Sequence, residues 1–136
     1  MTVSRNRLAN TQNGYQGSRK RVLCVCSAGM LRSPTAAWIL SNEPFGYNTR
    51  AVGASQEYAL IPMDEAHVLW AEEIIVMNDE QKLLAQQLLQ NVNPDHWRLT
   101  PIHVLDIPDN YEFRDPQLVK IMTKIFMKMY KEEAAE

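Results

Sequence analysis

Short apolar runs alternate with amphipathic stretches from residue 20 onward, and this alternation predicts four strands and four helices. A short continuous apolar run is typical of a strand that is buried on both faces. Apolar positions spaced by three or four residues are typical of a helix that packs on one side. The predicted strands are Arg21–Cys26, Tyr47–Val52, Ile74–Met77 and Ile102–Leu105. The predicted helices are Ser33–Leu40, Pro62–Ala71, Asp79–Leu89 and Asp115–Lys131.

Local signals indicate where two of these helices begin and which face of a third is buried. Ser33 and Asp115 each precede a proline, a pairing typical of an N-cap followed by the first helical residue. In the third helix, Leu83, Leu84 and Leu88 fall on one stripe. We expect this stripe to face the core.

The order of the elements predicts the fold class. Strands that alternate with helices of about ten residues indicate an α/β protein with right-handed crossovers. We expect a three-layer doubly wound fold with a four-stranded, mainly parallel sheet. Ligands of such sheets bind beyond the carboxyl ends of the strands. Chemistry is therefore expected just after Cys26, Met77 and Leu105.

The composition is that of an ordinary globular protein, with 46% hydrophobic and 22% charged residues among 136. A net charge of −2 at pH 7 favours neither nucleic acid nor an anionic membrane as a partner. No apolar run approaches the roughly 18 residues of a membrane span, and the N-terminus lacks the apolar stretch of a secretory signal. We expect one domain over residues 19–136, a flexible polar tail over residues 1–18, and a monomer or weak dimer.

The chain has two cysteines, Cys24 and Cys26, separated by a single residue. Side chains two apart in a strand leave one face side by side, which is poor geometry for a disulfide. With no other cysteine, neither a disulfide scaffold nor a cysteine-rich zinc site is available. Two free thiols indicate a reducing compartment, so we expect the protein in the cytoplasm.

The segment between the first strand and the first helix carries the strongest chemical signal. A loop that runs into a helix N-terminus turns its backbone N–H groups toward an oxyanion, and an arginine there grips two phosphoryl oxygens. The same dipoles and cation favour the thiolate form of a cysteine at the strand end, which makes it a nucleophile. The segment reads Cys26, Ser27, Ala28, Gly29, Met30, Leu31, Arg32, Ser33.

This pattern predicts a phosphate-binding loop over residues 27–33, with Cys26 as the nucleophile and Arg32 as the clamp. Ser33 is placed to donate its hydroxyl to the thiolate as well as to cap the helix. The plainer interpretation makes Cys26 a small buried hydrophobic residue, as we expect for Cys24, and Arg32 a solvated helix residue. The position of the segment, after a strand and before a Ser-Pro helix start, favours the chemical interpretation.

The segment from Val25 to Ala36 resembles the active-site loop of the low-molecular-weight protein tyrosine phosphatases, in their compact bacterial and phage branch. The resemblance covers about residues 20–130. It continues through Arg50–Ala54, similar to the family's second strand and turn, through Trp70-Ala71 with Ile74–Met77, and through Leu105–Tyr111, where the family places its acid loop. It implies hydrolysis of a phosphorylated protein or small phosphomonoester through a phosphocysteine, with no metal and no cofactor.

Two loop positions depart from the pattern of that family. Ala28-Gly29 stands where Gly-Asn is common, so a side chain that braces the loop is missing. Leu31 stands where a second cysteine is often found, so a disulfide that protects the nucleophile from oxidation is missing as well.

Cleavage of a phosphate ester by a thiolate needs a general acid, and three carboxylates compete for this role. Asp109 keeps the Asp–Tyr spacing of the acid loop with Tyr111 and is the preferred candidate. Asp106 ends the fourth predicted strand and is the second candidate. Asp115 is more simply explained as an N-cap. Tyr111 and Phe113 are expected to wall the substrate pocket.

Three other functions are alternatives to phosphate-ester hydrolysis. Arsenate reduction on this fold needs a resolving cysteine, and no cysteine follows Cys26. The residues from Cys26 to Met30 also resemble the phosphocysteine loop of sugar phosphotransferase IIB proteins of the cellobiose type, which lack the arginine. A phospho-ligand-binding module without turnover is the third possibility, since Ala28-Gly29 replaces the usual pair.

Overall fold

The computed structural model describes residues 19–27, 32–55, 59, 61–108 and 110–130, so the predicted tail lies outside the described residues. The strands are β1 (Arg21–Cys26), β2 (Asn48–Gly53), β3 (Glu73–Val76) and β4 (Ile102–Val104). The helices are α1 (Arg32–Ser41), α2 (Glu65–Trp70), α3 (Asp79–Val92) and α4 (Pro116–Met129), with a 3-10 turn at Trp97–Leu99. None of the described helices is long and apolar enough to cross a membrane.

The four strands form one parallel sheet in the order β2-β1-β3-β4. In this register Cys26 lies beside Gly53, and Val76 lies between Val25 and Val104. Because all strands run in the same direction, their carboxyl ends meet at one edge of the sheet. The predicted α/β class and the parallel sheet are confirmed.

Helices cover both faces of this sheet. Along β1, Cys24 and Cys26 point to the side that holds α1 and α4. Leu23 and Val25 point to the other side, where residues of α2 and α3 complete the second cluster. Alternation with period two sends successive side chains to opposite faces, so a strand covered on both faces must be apolar throughout. The three-layer arrangement predicted from the sequence is therefore confirmed.

The buried face of α3 differs from the prediction. Leu83 and Leu84 are 60% and 37% exposed, and the residues turned toward the core are Gln81, Ala85 and Leu89. Residues four apart share one face of a helix, and the face with Gln81 is turned inward because its amide reaches the end of β3. Leu88, the third residue of the predicted stripe, does pack against the core. The prediction was wrong for Leu83 and Leu84 because periodicity alone cannot orient a helix.

The second helix begins at Glu65, three residues after the predicted start at Pro62. Asp64 accepts a hydrogen bond from the His67 N–H at 2.9 Å, and His67 Nδ1 accepts one from the Asp64 N–H at 3.1 Å. This reciprocal cap satisfies two N–H groups that the helix itself leaves unpaired. Pro62 instead forms an isolated parallel bridge with Gly53.

A polar cluster lies at the amino end of β3, away from the edge where the carboxyl ends meet. The Glu73 carboxylate contacts Lys20 Nζ at 2.8 Å, His103 Nε2 at 2.9 Å and the Tyr130 hydroxyl at 2.9 Å. Burial alone would raise the pKa of Glu73, but these hydrogen bonds outweigh it and lower the pKa to about 2. The cluster therefore stabilises the charged carboxylate.

Candidate active site

Cys26 ends the central strand β1, and its side chain is 3% exposed. Its Sγ lies 3.1 Å from the hydroxyl oxygen of Ser33. The same hydroxyl lies 3.2 Å from the carbonyl oxygen of Val52, to which it can donate. A hydroxyl has one hydrogen, so Ser33 can donate either to the carbonyl or to the sulfur. Ser33 therefore stands in the position from which it can donate to a thiolate.

The expectation that Ser33 caps the first helix was wrong. The helix has already begun at Arg32, which places Ser33 inside the first turn. Its hydroxyl turns toward Cys26 and Val52 because these groups lie beside it at the carboxyl ends of β1 and β2. Only the packing of α1 on the sheet creates this contact.

Cys24 lies two residues before Cys26 on the same face of β1 and is fully buried, as expected of a small hydrophobic residue. Burial first, and the neighbouring Cys26 second, raise the pKa of the Cys24 thiol well above its usual range. Cys24 therefore remains a neutral thiol.

Arg32 is the first residue of α1 and is 2% exposed, so it is not a solvated surface residue. One guanidinium nitrogen donates to the carbonyl of Ile107 at 2.6 Å, and another donates to the Ser27 hydroxyl at 3.4 Å. Ile107 follows β4, while Ser27 follows Cys26. Arg32 thus joins the start of the predicted phosphate loop to the segment that was expected to carry the acid.

The middle of the predicted phosphate loop, Ala28, Gly29, Met30 and Leu31, lies outside the described residues. Its first residue, Ser27, is held from the side of the sheet that carries α3. The Gln81 amide lies 3.4 Å from the Ser27 hydroxyl as a donor and accepts the Met77 N–H at 2.7 Å. Gln81 itself is 2% exposed.

Gln81 was not predicted as part of the site, although one signal was present in the sequence. Gln81 shares a helical face with Ala85 and Leu89, and a glutamine in line with two apolar residues indicates a buried amide with a partner. Its contact with Ser27 braces the start of the loop from α3. The loop thus lacks the asparagine common in the resembling family, and its first residue is contacted by Gln81 from a different element.

The structure describes two of the three candidate acids. Asp109 lies outside the described residues. Asp106 follows β4 with φ of 57°, a left-handed conformation that aspartate tolerates better than most residues, and it is exposed. Asp115 is the N-cap of α4, where its carboxylate accepts the Gln117 N–H at 2.9 Å and Pro116 follows it. The predicted capping role of Asp115 is confirmed.

The segment after the candidate acids is fastened to α1. The Arg114 N–H donates to the hydroxyl of Thr35 at 2.9 Å, and its guanidinium lies 4.4 Å from the ring centre of Trp38 and 4.8 Å from that of Phe113. Tyr111 packs against the hydrophobic cluster that contains Cys26. These contacts hold the chain between β4 and α4 close to the helix that begins with Arg32.

Within the described residues, no group of three histidine, cysteine or acidic side chains is arranged to hold a metal ion. The polar groups gathered at the carboxyl edge of the sheet are instead a thiol, hydroxyls, a guanidinium and an amide. Hydroxyls, guanidinium groups and backbone N–H groups are donors that suit an oxyanion.

Comparison with known proteins identifies the fold. No protein-family model matches the chain, and no curated protein does. The tyrosine phosphatase Wzb from Escherichia coli K30, solved with phosphate, matches with a TM-score of 0.58 and 13% identity, over 84% of this chain and 98% of that one. Vibrio vulnificus Wzb, solved with benzylphosphonate, matches with a TM-score of 0.56 and 15% identity, over 86% of this chain and 99% of that one. The YwlE arginine phosphatase from Geobacillus stearothermophilus matches with a TM-score of 0.55 and 15% identity, over 86% of this chain and 97% of that one.

The chain therefore has the fold of the bacterial low-molecular-weight phosphatases, as the resemblance in sequence implied. The match extends over most of this chain and nearly the whole length of each neighbour. The fold places the end of β1 at the centre of the carboxyl edge, where a ligand of a parallel sheet binds.

Proposed function

We propose that this protein is a cysteine-dependent phosphomonoesterase that hydrolyses phosphotyrosine in proteins through a phosphocysteine intermediate. The observation that carries the proposal is the placement of Arg32. Its buried guanidinium lies between Ser27, next to the thiol of Cys26, and Ile107, in the segment of the candidate acids. Burial of a charged group is costly without partners, and a phosphoryl group beside Cys26 would add a bidentate one.

In the proposed reaction the Cys26 thiolate attacks phosphorus, so that an S–P bond forms as the bond to the leaving oxygen breaks. Arg32 and the N–H groups of residues 27–33 stabilise the charge on the equatorial oxygens. Asp109 gives its proton to the leaving oxygen. Its carboxylate then takes a proton from water, which attacks phosphorus and releases phosphate and the thiolate. Before substrate binds, the Ser33 hydroxyl donates a hydrogen bond to the Cys26 thiolate.

The substrate class rests on the neighbours in fold. Two of the neighbours named above are Wzb proteins, one of them described as a tyrosine phosphatase and one solved with benzylphosphonate, while a third is an arginine phosphatase. An aryl phosphate suits the expected wall of Tyr111 and Phe113. The two free thiols, Cys24 and Cys26, suit a reducing compartment, so we extend the proposal to a cytoplasmic enzyme.

The buried arginine also supports hydrolysis over phosphate storage. The phosphocysteine carriers that the loop resembles lack this residue, whereas Arg32 is built into the site here. Arsenate reduction would need a resolving cysteine, and no cysteine follows Cys26. A module that binds without turnover is separated from an enzyme by the assay below.

The test compares Cys26→Ser with Cys24→Ser, two identical changes on the same face of one strand. Release of phosphate is measured from para-nitrophenyl phosphate, a phosphotyrosine peptide and a phosphoarginine peptide. We expect Cys26→Ser to abolish turnover and keep phosphate binding, and Cys24→Ser to keep turnover. A urea unfolding curve for each variant checks that both are folded.

The reverse result, an active Cys26 variant and a folded but inactive Cys24 variant, would show that the nucleophile is misassigned. Phosphate binding by the unchanged protein without turnover would favour the binding module. A phosphocysteine that accumulates and is passed to another molecule would favour the carrier.

A further inference from the structure

A recess of about 240 Å³ opens beside the start of the predicted phosphate loop, on the side of the sheet that carries α3. Pockets for drug-sized ligands usually measure about 300–1,000 Å³, so this volume suits a single side chain better than a whole ligand. Its described lining residues come from the ends of β1, β2 and β3 and from the first turns of α3. They are Ser27, Ala54, Ser55, Asn78, Glu80, Gln81 and Leu84.

The recess adjoins the candidate nucleophile through the backbone. Ser27 forms part of its wall and is bonded directly to Cys26 in the chain, so the two Cα atoms lie about 3.8 Å apart. The opposite wall is held in place by hydrogen bonds from the Ala54 N–H to the Cys26 carbonyl, at 2.7 Å, and from the Ser55 N–H to the Ser27 carbonyl, at 2.8 Å. The recess therefore adjoins the backbone of the strand end that carries Cys26, while the Cys26 side chain itself points to the other side of the sheet.

The charge of the recess is negative. Glu80 is the one ionisable side chain among its described lining residues. The helix N-terminus contributes roughly half a positive charge, which one full carboxylate charge outweighs. A second phosphate is therefore disfavoured here, and a cation is favoured.

The remaining lining fits a long cationic side chain. Leu84 and Ala54 offer apolar surface for a methylene stem, while the Glu80 carboxylate offers oxygen acceptors for N–H groups. Leu84 is left partly exposed at this site, although it belongs to a helix whose other face packs on the sheet. A lysine or arginine side chain combines these two requirements.

We propose that this recess is a specificity subsite for a lysine or arginine that adjoins the phosphorylated residue of a protein substrate. This inference rests on the proposed function, since it assumes that a phosphorylated residue occupies the neighbouring loop. Glu80 pairs with the cationic head, and Leu84 covers the stem. The substrate class is thus narrowed to phosphoproteins with a basic residue beside the site of phosphorylation.

The experiment uses two phosphotyrosine peptides that differ only in the residues on both sides of phosphotyrosine, which are lysine in one and norleucine in the other. Norleucine keeps the methylene stem and removes the charge. We expect kcat/KM to be about fivefold higher for the lysine peptide, the size of one partly exposed charge pair. The preference should shrink as salt is added, because salt screens such a pair.

Two variants locate the origin of the preference. Glu80→Gln should bring the ratio of kcat/KM between the two peptides close to one. Asp79→Asn removes the same charge one residue away, from a position that is not among the described lining residues, and should keep most of the preference. Equal hydrolysis of both peptides by the unchanged enzyme would overturn the inference, as would a preference that survives Glu80→Gln or is lost equally in Asp79→Asn.

A binding measurement separates failure of this inference from failure of the proposed function. The same two peptides are prepared with a non-hydrolysable phosphonate in place of the phosphate, and their Kd values are measured by calorimetry with the unchanged protein and with Glu80→Gln. Tighter binding of the lysine peptide, lost in the variant, supports the subsite even where no phosphate ester is hydrolysed. Equal binding, or no binding of either peptide, overturns it.

Discussion

Replacement of Gln81 by methionine tests how the phosphate loop is held in place. Gln81 is buried at the junction of α3 with the end of β3, and its amide makes two contacts. Its oxygen accepts the Met77 N–H at 2.7 Å, and its nitrogen lies 3.4 Å from the Ser27 hydroxyl. Methionine has a similar length and volume, so the change removes both polar contacts without opening a large cavity.

The two contacts differ in expected energy. The Met77 N–H is buried, and leaving a buried donor without an acceptor costs about 1–3 kcal/mol. The contact with Ser27 exceeds the usual hydrogen-bond range of about 2.7–3.2 Å and contributes less. We therefore expect Gln81→Met to lower the free energy of unfolding by about 2 kcal/mol, nearly all of it through Met77.

The effect on catalysis should be smaller than the loss of a group that touches the phosphoryl oxygens. Gln81 acts on the proposed reaction through Ser27, which also accepts from Arg32. We expect kcat to fall severalfold with KM little changed, well short of the roughly 10²–10³-fold loss on removal of an oxyanion donor. Gln81 is in this sense a positioning residue.

The assay combines urea unfolding with steady-state kinetics on an aryl phosphate. Gln87→Met is the matched control, because Gln87 lies on the exposed face of the same helix. The control should leave the free energy of unfolding within about 0.5 kcal/mol of the unchanged protein. An unchanged free energy of unfolding in Gln81→Met would refute the argument about Met77. A loss of 10²-fold or more in kcat would refute the indirect role.

Two further predictions concern carboxylates. Asp109→Asn should slow phosphotyrosine hydrolysis strongly and hardly change hydrolysis of an aryl phosphate with a very acidic phenol, since a good leaving group departs without a proton. Kinetics on both substrates check this. The same pattern in Asp106→Asn alone would show that Asp106, and not Asp109, is the general acid. Asp115→Ala should slow hydrolysis of both substrates equally and cost about 1 kcal/mol of stability. Glu73 has a pKa of about 2 in the folded protein, below its ordinary 4.5, so its stabilising effect is present above about pH 4.5 and is lost as the pH falls toward 2. A pKa lowered from 4.5 to about 2 corresponds to roughly 3–4 kcal/mol, and the actual effect is smaller because the side chain is only half-buried and solvent screens its charge. Glu73→Gln should flatten the fall in urea stability between pH 5 and pH 2, whereas an unchanged fall would contradict the assignment.

Local patterns in the sequence determined the elements and the linear part of the site. The run Arg21–Cys26 is apolar after its first residue and formed the predicted strand, and Asp115 caps α4 as its place before proline indicated. Both signals act between residues a few positions apart, where backbone geometry and side-chain hydrogen bonds decide the outcome. The spacing from Cys26 to Arg32 is local in the same way.

The contacts that turn this segment into a site were decided by the tertiary structure alone. Arg32 meets a carbonyl 75 residues away, and Gln81 reaches a hydroxyl 54 residues away. Such contacts depend on the strand order β2-β1-β3-β4 and on which face of each helix packs on the sheet. Spacing along the chain contains neither quantity, which is why Leu83 and Leu84 were wrongly expected in the core and Gln81 was missed.

The role of Ser33 shows both influences at a single residue. Its place before a proline suggested a cap, which is a local property. The structure instead turns its hydroxyl to Cys26 and Val52, at the ends of two neighbouring strands, because α1 begins one residue earlier and packs across them. Sequence determines which groups a residue offers, whereas the packing of distant segments determines which partners those groups meet.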